Sequence, residues 1–216
     1  MSTTIAIIDY GMGNLRSVTK ALEHVAPAGT RVTVTADPDV VRKADRVVFP
    51  GQGAARDCMG ALDAAGLTDA IRETSANKPF LGVCMGMQVL VDHSDENGGT
   101  PCIGVFPGEV HYFGDDIGDS PDGVRLKIPH MGWNTIRQVG EHPLWRGVEQ
   151  DSYFYFVHSY HVVPGSPDLV AGVTDYGIQF TSVIARDNIF AMQCHPEKSA
   201  HSGLKLLENF TRWNGQ

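Results

Sequence analysis

Short apolar runs alternate with segments of helical period through the first half of the chain, a pattern that predicts βα units feeding a parallel sheet. Thr4–Asp9 reads as a buried strand, Leu15–Val25 as a helix, and Arg31–Thr35 and Arg46–Phe49 as strands. Helical patterning follows over Ala54–Ala65 and Leu67–Ser75, then an apolar strand over Pro79–Val83 and a helix over Met85–Val91. From Thr100 to Gly140 the chain is rich in Gly, Pro and Asp, with short runs such as Glu109–Phe113, and predicts hairpins and loops around a site. Strand-like runs return at Tyr153–Val157, Leu169–Thr174, Phe180–Arg186 and Ile189–Gln193, and an amphipathic helix over His201–Trp213 ends the pattern. The expected fold is α/β, a three-layer sandwich around a central mixed, mainly parallel sheet with an antiparallel extension. No repeat or long linker divides the chain, so residues 1–216 are expected to form one domain.

Composition narrows the function classes. Seventeen Lys and Arg against 25 Asp and Glu give a net charge of −8, which argues against a surface devoted to nucleic acid or anionic membrane. The longest mostly apolar stretch, Pro79–Val91, is broken by Gly82, Gly86 and Gln88 and is too short to span a bilayer. Met1–Tyr10 has no basic stretch before its apolar residues and meets Asp9 at once, unlike a secretory or transit signal. Cys58, Cys84, Cys102 and Cys194 form no C-x-x-C pair, so neither a disulfide framework nor a zinc site is expected, and the expected compartment is the cytoplasm.

Three segments carry candidate chemistry. In Gly82-Val83-Cys84-Met85-Gly86 a nucleophilic residue stands where an apolar strand meets a helix, with Gly two positions to either side. This is the cysteine counterpart of a nucleophile elbow, and the positive end of the helix dipole there favours a thiolate. A buried, inert cysteine is the alternative. Cys194-His195-Pro196-Glu197 follows an apolar strand; in an extended segment residues i and i+2 share a side, so Glu197 can orient the His195 imidazole and stabilise its charged form. Without a nucleophile nearby, the same residues are a strand-end histidine and a solvated glutamate. Pro50-Gly51-Gln52-Gly53 follows the strand Arg46–Phe49, and its N–H groups can form an oxyanion hole if it lies beside Cys84; otherwise it is a turn.

Together these segments resemble the class I, triad-type glutamine amidotransferases along nearly the whole chain. Asp9-Tyr10-Gly11-Met12-Gly13-Asn14-Leu15, Pro129-His130-Met131-Gly132-Trp133-Asn134 and Tyr155-Phe156-Val157-His158-Ser159-Tyr160 resemble the branch formed by glutaminase subunits of imidazole glycerol phosphate synthase. The resemblance implies Cys84 as nucleophile, His195 and Glu197 as its catalytic partners, and the N–H groups of Gln52 and Met85 as the oxyanion hole. It implies Gly53, Gln88, Glu96, Ser159 and Tyr160 as contacts of L-glutamine. It places Trp133, Tyr155 and Lys198 at an interface with a TIM-barrel synthase subunit that receives the ammonia, and it implies neither a metal nor another cofactor. Gln52 departs from the small aliphatic residue common at its position. Since the donor there is main-chain, the departure is expected to affect loop motion rather than donor supply. The Gly51–Gln52 peptide is expected to turn its N–H away from Cys84 in the resting chain and to flip when a partner docks. A glutaminase serving another synthase, or a catalytically silent module of the same fold, are the alternatives.

Overall fold

The computed structural model describes residues 3–120 and 122–216; Met1 and Ser2 of the N-terminal stretch, and Pro121, lie outside the described residues. Its strands are β1 (Thr4–Ile8), β2 (Arg31–Thr35), β3 (Arg46–Gly51), β4 (Phe80–Cys84), β5 (His93–Ser94), β6 (Thr100–Pro101), β7 (Gly108–Tyr112), β8 (His130–Gln138), β9 (Ser152–His158), β10 (Tyr160–Pro164), β11 (Val170–Tyr176), β12 (Ile178–Arg186) and β13 (Ile189–Met192). The helices are α1 (Leu15–Val25), α2 (Pro38–Lys43), α3 (Ala55–Ala64), α4 (Leu67–Ser75), α5 (Met85–Gln88) and α6 (Ala200–Arg212).

One sheet runs β2-β1-β3-β4-β13-β12-β10-β7-β5-β6, with β11 joined to β12, β8 to β11 and β9 to β8. The first five strands are parallel; from β12 onward the pairing turns mainly antiparallel. The three layers follow from alternation along the strands. Val48, Leu81, Val83, Phe190 and Met192 point into one core, shared with Val18 and Leu22 of α1 and Leu206 and Phe210 of α6. Val47, Phe49, Phe80, Ile189 and Ala191 point into the other, shared with Val41, Leu62 and Ile71 of α2, α3 and α4. A period of two thus buries both faces of the parallel strands, and no helix of the described residues is long and apolar enough to cross a membrane.

Three local expectations are corrected. The helix expected over Met85–Val91 stops at Gln88, because the carbonyls of Val89, Leu90 and Val91 accept N–H groups from residues 103–106 instead of continuing the helical ladder. Within the Gly-rich segment lies a nine-residue strand, β8, hydrogen-bonded along β9 from His130↔His158 to Ile136↔Ser152. Exposed Met131 and Trp133 on its outward phase, and Gly132 and Asn134 on the inward phase of His130 and Ile136, conceal the period of two. The short α2 leaves no sign in the hydrophobic pattern; six residues carry too little period, although Asp37 caps it by accepting the Asp39 N–H at 2.8 Å and Pro38 begins it.

Candidate active site

Parallel pairing of β4 with both β3 and β13 sets three chain segments at one edge of the sheet. Gly51 is in register with Cys84, and Met192 with Val83, so the segment after β3 and the segment after β13 both flank the cysteine. Cys84 takes φ 56°, ψ −111° as the chain swings from β4 into α5, a strained backbone that lifts its thiol out of the strand. The flanking glycines are required sterically. A Cβ at Gly86 would stand 1.8 Å from the Phe49 carbonyl oxygen, and one at Gly82 would stand 2.9 Å from both the Ala191 Cβ and the Gly86 carbonyl oxygen.

His195 and Glu197 meet, but not along an extended segment. Pro196–Lys198 forms a 3₁₀ turn, in which the Lys198 N–H donates to the His195 carbonyl, and it brings Glu197 Oε1 to 3.0 Å from His195 Nδ1. The Glu197 side chain is buried, and its Oε2 has no hydrogen-bond partner. With Nδ1 engaged, the other ring nitrogen, Nε2, is also without a partner. Burial alone would lower the imidazole pKa, but the adjoining Cys84 sulfur and then the Glu197 carboxylate outweigh it and hold the pKa well above the usual value. The arrangement favours an imidazolium beside the sulfur.

A cavity of about 330 Å³ opens over this edge. It is lined by Cys84, Met85 and His195, by Gln52 and Gly53 of the loop after β3, and by Gln88, Glu96, Ser159, Tyr160 and Lys198. Trp133 and Tyr155 lie outside it, on the β8–β9 pair, with ring centroids 6.1 Å apart at 78°. Lys198 joins the two regions: it lines the cavity and sets its Nζ 5.6 Å from the centre of the Tyr155 ring. Glu96 accepts the Ala55 N–H at 2.7 Å, so its carboxylate caps the start of α3 while facing the cavity.

Two side chains that the sequence did not single out bear on the site. Gln193, fully buried after β13, donates from Nε2 to Cys84 Sγ at 3.7 Å, and its Oε1 accepts from Gln88 Nε2 at 2.8 Å. Gln88 also donates to the Tyr160 carbonyl at 3.1 Å. The signal for Gln193 is its phase: on β13 the positions 189 and 191 are apolar and buried, so an amide two residues on is a polar break in a core-facing row. Tyr10 donates its hydroxyl to the Pro50 carbonyl at 3.1 Å and accepts from Cys58 Sγ at 3.0 Å, tethering the start of the Gly51–Gln52 segment. Such a contact joins residues far apart in the chain and leaves no local pattern.

The profile of the glutamine amidotransferase class-I family matches residues 6–213. An imidazole glycerol phosphate synthase subunit HisH from Thiobacillus denitrificans is 58% identical over 214 residues, covering 99% of this chain and 93% of its own. Its counterpart from Dechloromonas aromatica is 60% identical over 97% of this chain and 96% of its own. The chain belongs to the HisH subunits of the class-I glutamine amidotransferases. Its three-layer fold is shared with a PurLQS structure from Thermotoga maritima, at TM-score 0.73 and 16% identity over 98% of this chain and 99% of the other. A GMP synthase protein of Thermoplasma acidophilum gives TM-score 0.70 at 16% identity, covering 98% of this chain and 94% of the other. The name of these relatives makes each of them a subunit, one part of a larger synthase.

Proposed function

We propose that this HisH chain hydrolyses L-glutamine through a thioester on Cys84, and that its ammonia passes to a TIM-barrel synthase subunit. The observation that carries the reading is the cavity in which Cys84, His195 and the Gln52–Gly53 loop face one another. The Cys84 thiolate attacks the carboxamide carbon, and the carbonyl oxygen takes up the negative charge. Two N–H groups serve that oxygen: that of Met85, a first-turn donor with no intrahelical acceptor, and that of Gln52 once its peptide is correctly turned. As the C–N bond breaks, the His195 imidazolium gives its Nε2 proton to the departing nitrogen and ammonia leaves. His195, now neutral, takes a proton from water; the resulting hydroxide equivalent displaces Cys84 and releases glutamate. Glu197 fixes the ring through Nδ1 and stabilises its charge in the first half of the cycle.

Glu96 suits the substrate's ammonium group, while Gln88, Ser159 and Tyr160 surround its amino-acid end. Trp133, Tyr155 and Lys198 form the docking surface, an aromatic pair and a cation at the cavity's rim. The partner uses the ammonia to convert N'-phosphoribulosyl-formimino-AICAR-phosphate into imidazole glycerol phosphate and AICAR for histidine biosynthesis in the cytoplasm. No metal or other cofactor takes part, and residues 1–216 act as one amidotransferase domain. In the complex, Cys84→Ala should lower glutamine-dependent turnover by about 10⁴-fold or more while turnover with added ammonium salt persists. Persistence of glutamine hydrolysis in that variant would overturn the assignment.

A further inference from the structure

Ser199 stands at the N-cap of α6, where a serine hydroxyl ordinarily accepts an N–H from the first helical turn. It makes no such bond here. The side chain is instead turned back and buried, with Oγ donating to the His195 carbonyl at 2.6 Å and accepting the Tyr155 N–H at 3.0 Å. The His195 N–H donates in turn to the Tyr155 carbonyl at 2.9 Å. Both backbone groups of one residue on β9 are therefore tied to both backbone groups of the histidine, and Ser199 supplies the side-chain link in the ring. The region has little slack: a Cβ at Gly203 would meet the Pro196 carbonyl oxygen at 2.0 Å and the Ser199 Cβ at 2.7 Å, so α6 is pressed directly onto the turn that holds Glu197. On the other side of Tyr155, its ring meets Trp133 and Lys198.

From this ring we infer that Ser199 is a positioning residue that couples the partner-facing strand β9 to the His195 imidazole. The inference rests on the reading that Cys84 and His195 carry hydrolysis and that Tyr155 faces the synthase subunit. A partner that presses on Trp133 and Tyr155 shifts the β9 backbone, and the ring transmits that shift to the backbone of His195. Without the hydroxyl, the His195 N–H bond is the one link of the ring left between Tyr155 and His195, and the His195 carbonyl keeps only the Lys198 N–H of its own turn, so the histidine follows β9 less closely.

The test compares glutamine hydrolysis by the parent chain and by Ser199→Ala, each alone and in complex with the ligand-bound synthase partner. Ser199→Ala should reduce the ratio of stimulated to unstimulated kcat by about fivefold or more, with KM for glutamine within about twofold of the parent. Ammonium-dependent turnover of the complex should be unchanged, because it needs docking but not His195. A variant that docks and keeps the parent's stimulation ratio overturns the inference. Should Ser199→Ala fail to fold, Ser199→Cys carries the test, since a thiol keeps the size but weakens both bonds: a reduced ratio supports the coupling and an unchanged ratio overturns it. Failure of the underlying reading has a different signature, namely a parent chain whose hydrolysis survives Cys84→Ala or is not stimulated by the partner.

Discussion

At Cys84 the positive φ and the two sterically obligatory glycines are one feature seen twice: the backbone is forced into a conformation that side chains resist, and neighbours without side chains make room for it. That constraint is local, which is why the nucleophile is legible from five consecutive residues. The contribution of Gln193 is not, because it depends on the pairing of β13 with β4 and on a glutamine more than a hundred residues away. Its amide bridges the sulfur and Gln88, so it joins the nucleophile to a wall of the cavity. Gln193→Leu should leave a buried Gln88 donor with one acceptor fewer and release the sulfur. Steady-state kinetics of the complex should show KM for glutamine raised and kcat lowered, together reducing kcat/KM by about tenfold or more. Parent kinetics in this variant would assign Gln193 to packing alone.

Among the elements, the βα units of the first half are legible in the sequence with ends close to those observed, since apolar runs buried on both faces and amphipathic helices leave strong periods. Strands β8 and β10 and the short α2 escape because exposed apolar residues such as Met131, Trp133 and Val163, a glycine or polar residues on the inward phase, or mere brevity weaken the pattern. The elbow between β4 and α5 offers a test of the steric argument at this scale. Gly86→Ala should destabilise the chain by about 3 kcal/mol or more, as the new methyl meets backbone rather than a yielding side chain. Gly60→Ala, on the exposed side of α3 with nothing within 4 Å of the added carbon, should instead stabilise by about 0.5–1 kcal/mol through helix propensity. Urea unfolding midpoints of the two variants check the pair, and equal effects would contradict the packing described.

For the molecule as a whole, buried histidines set the response to acid. His158 donates from Nδ1 to the Tyr160 carbonyl at 2.8 Å and accepts at Nε2 from His130 Nδ1 at 2.9 Å, while His130 Nε2 accepts from Asn134 Nδ2 at 3.3 Å, an arrangement in which both rings are neutral. Burial pushes His130 and His142 down to about 4 and His158 down to about 3, and lowers His161 as well. Their folded pKa values lie below the unfolded value near 6.5, so between those limits the unfolded chain binds more protons and stability falls as pH falls. His195, raised by its partners, has the opposite sign: its contribution is full below about 6.5 and is lost as pH rises through its folded value. Four groups against one predict a Tm lower at pH 5 than at pH 7.5 by about 5 °C or more. The slope should flatten in His158→Asn, and a Tm that holds or rises on acidification would contradict this balance.

The claim on which everything else depends is that glutamine is held covalently by one of four thiols. Burial pushes Cys58 up to about 12 and Cys102 up to about 11, and raises Cys194 well above its ordinary value, which keeps all three protonated and unreactive. Of the four, Cys84 alone lines the cavity. Acid quenching of the complex during steady-state turnover of isotopically labelled glutamine, followed by peptide mass mapping, reads the adduct directly. The account predicts a glutamyl thioester on the peptide that contains Cys84 and on no other cysteine; a glutamyl adduct on Cys58, Cys102 or Cys194, with Cys84 unmodified, would contradict it.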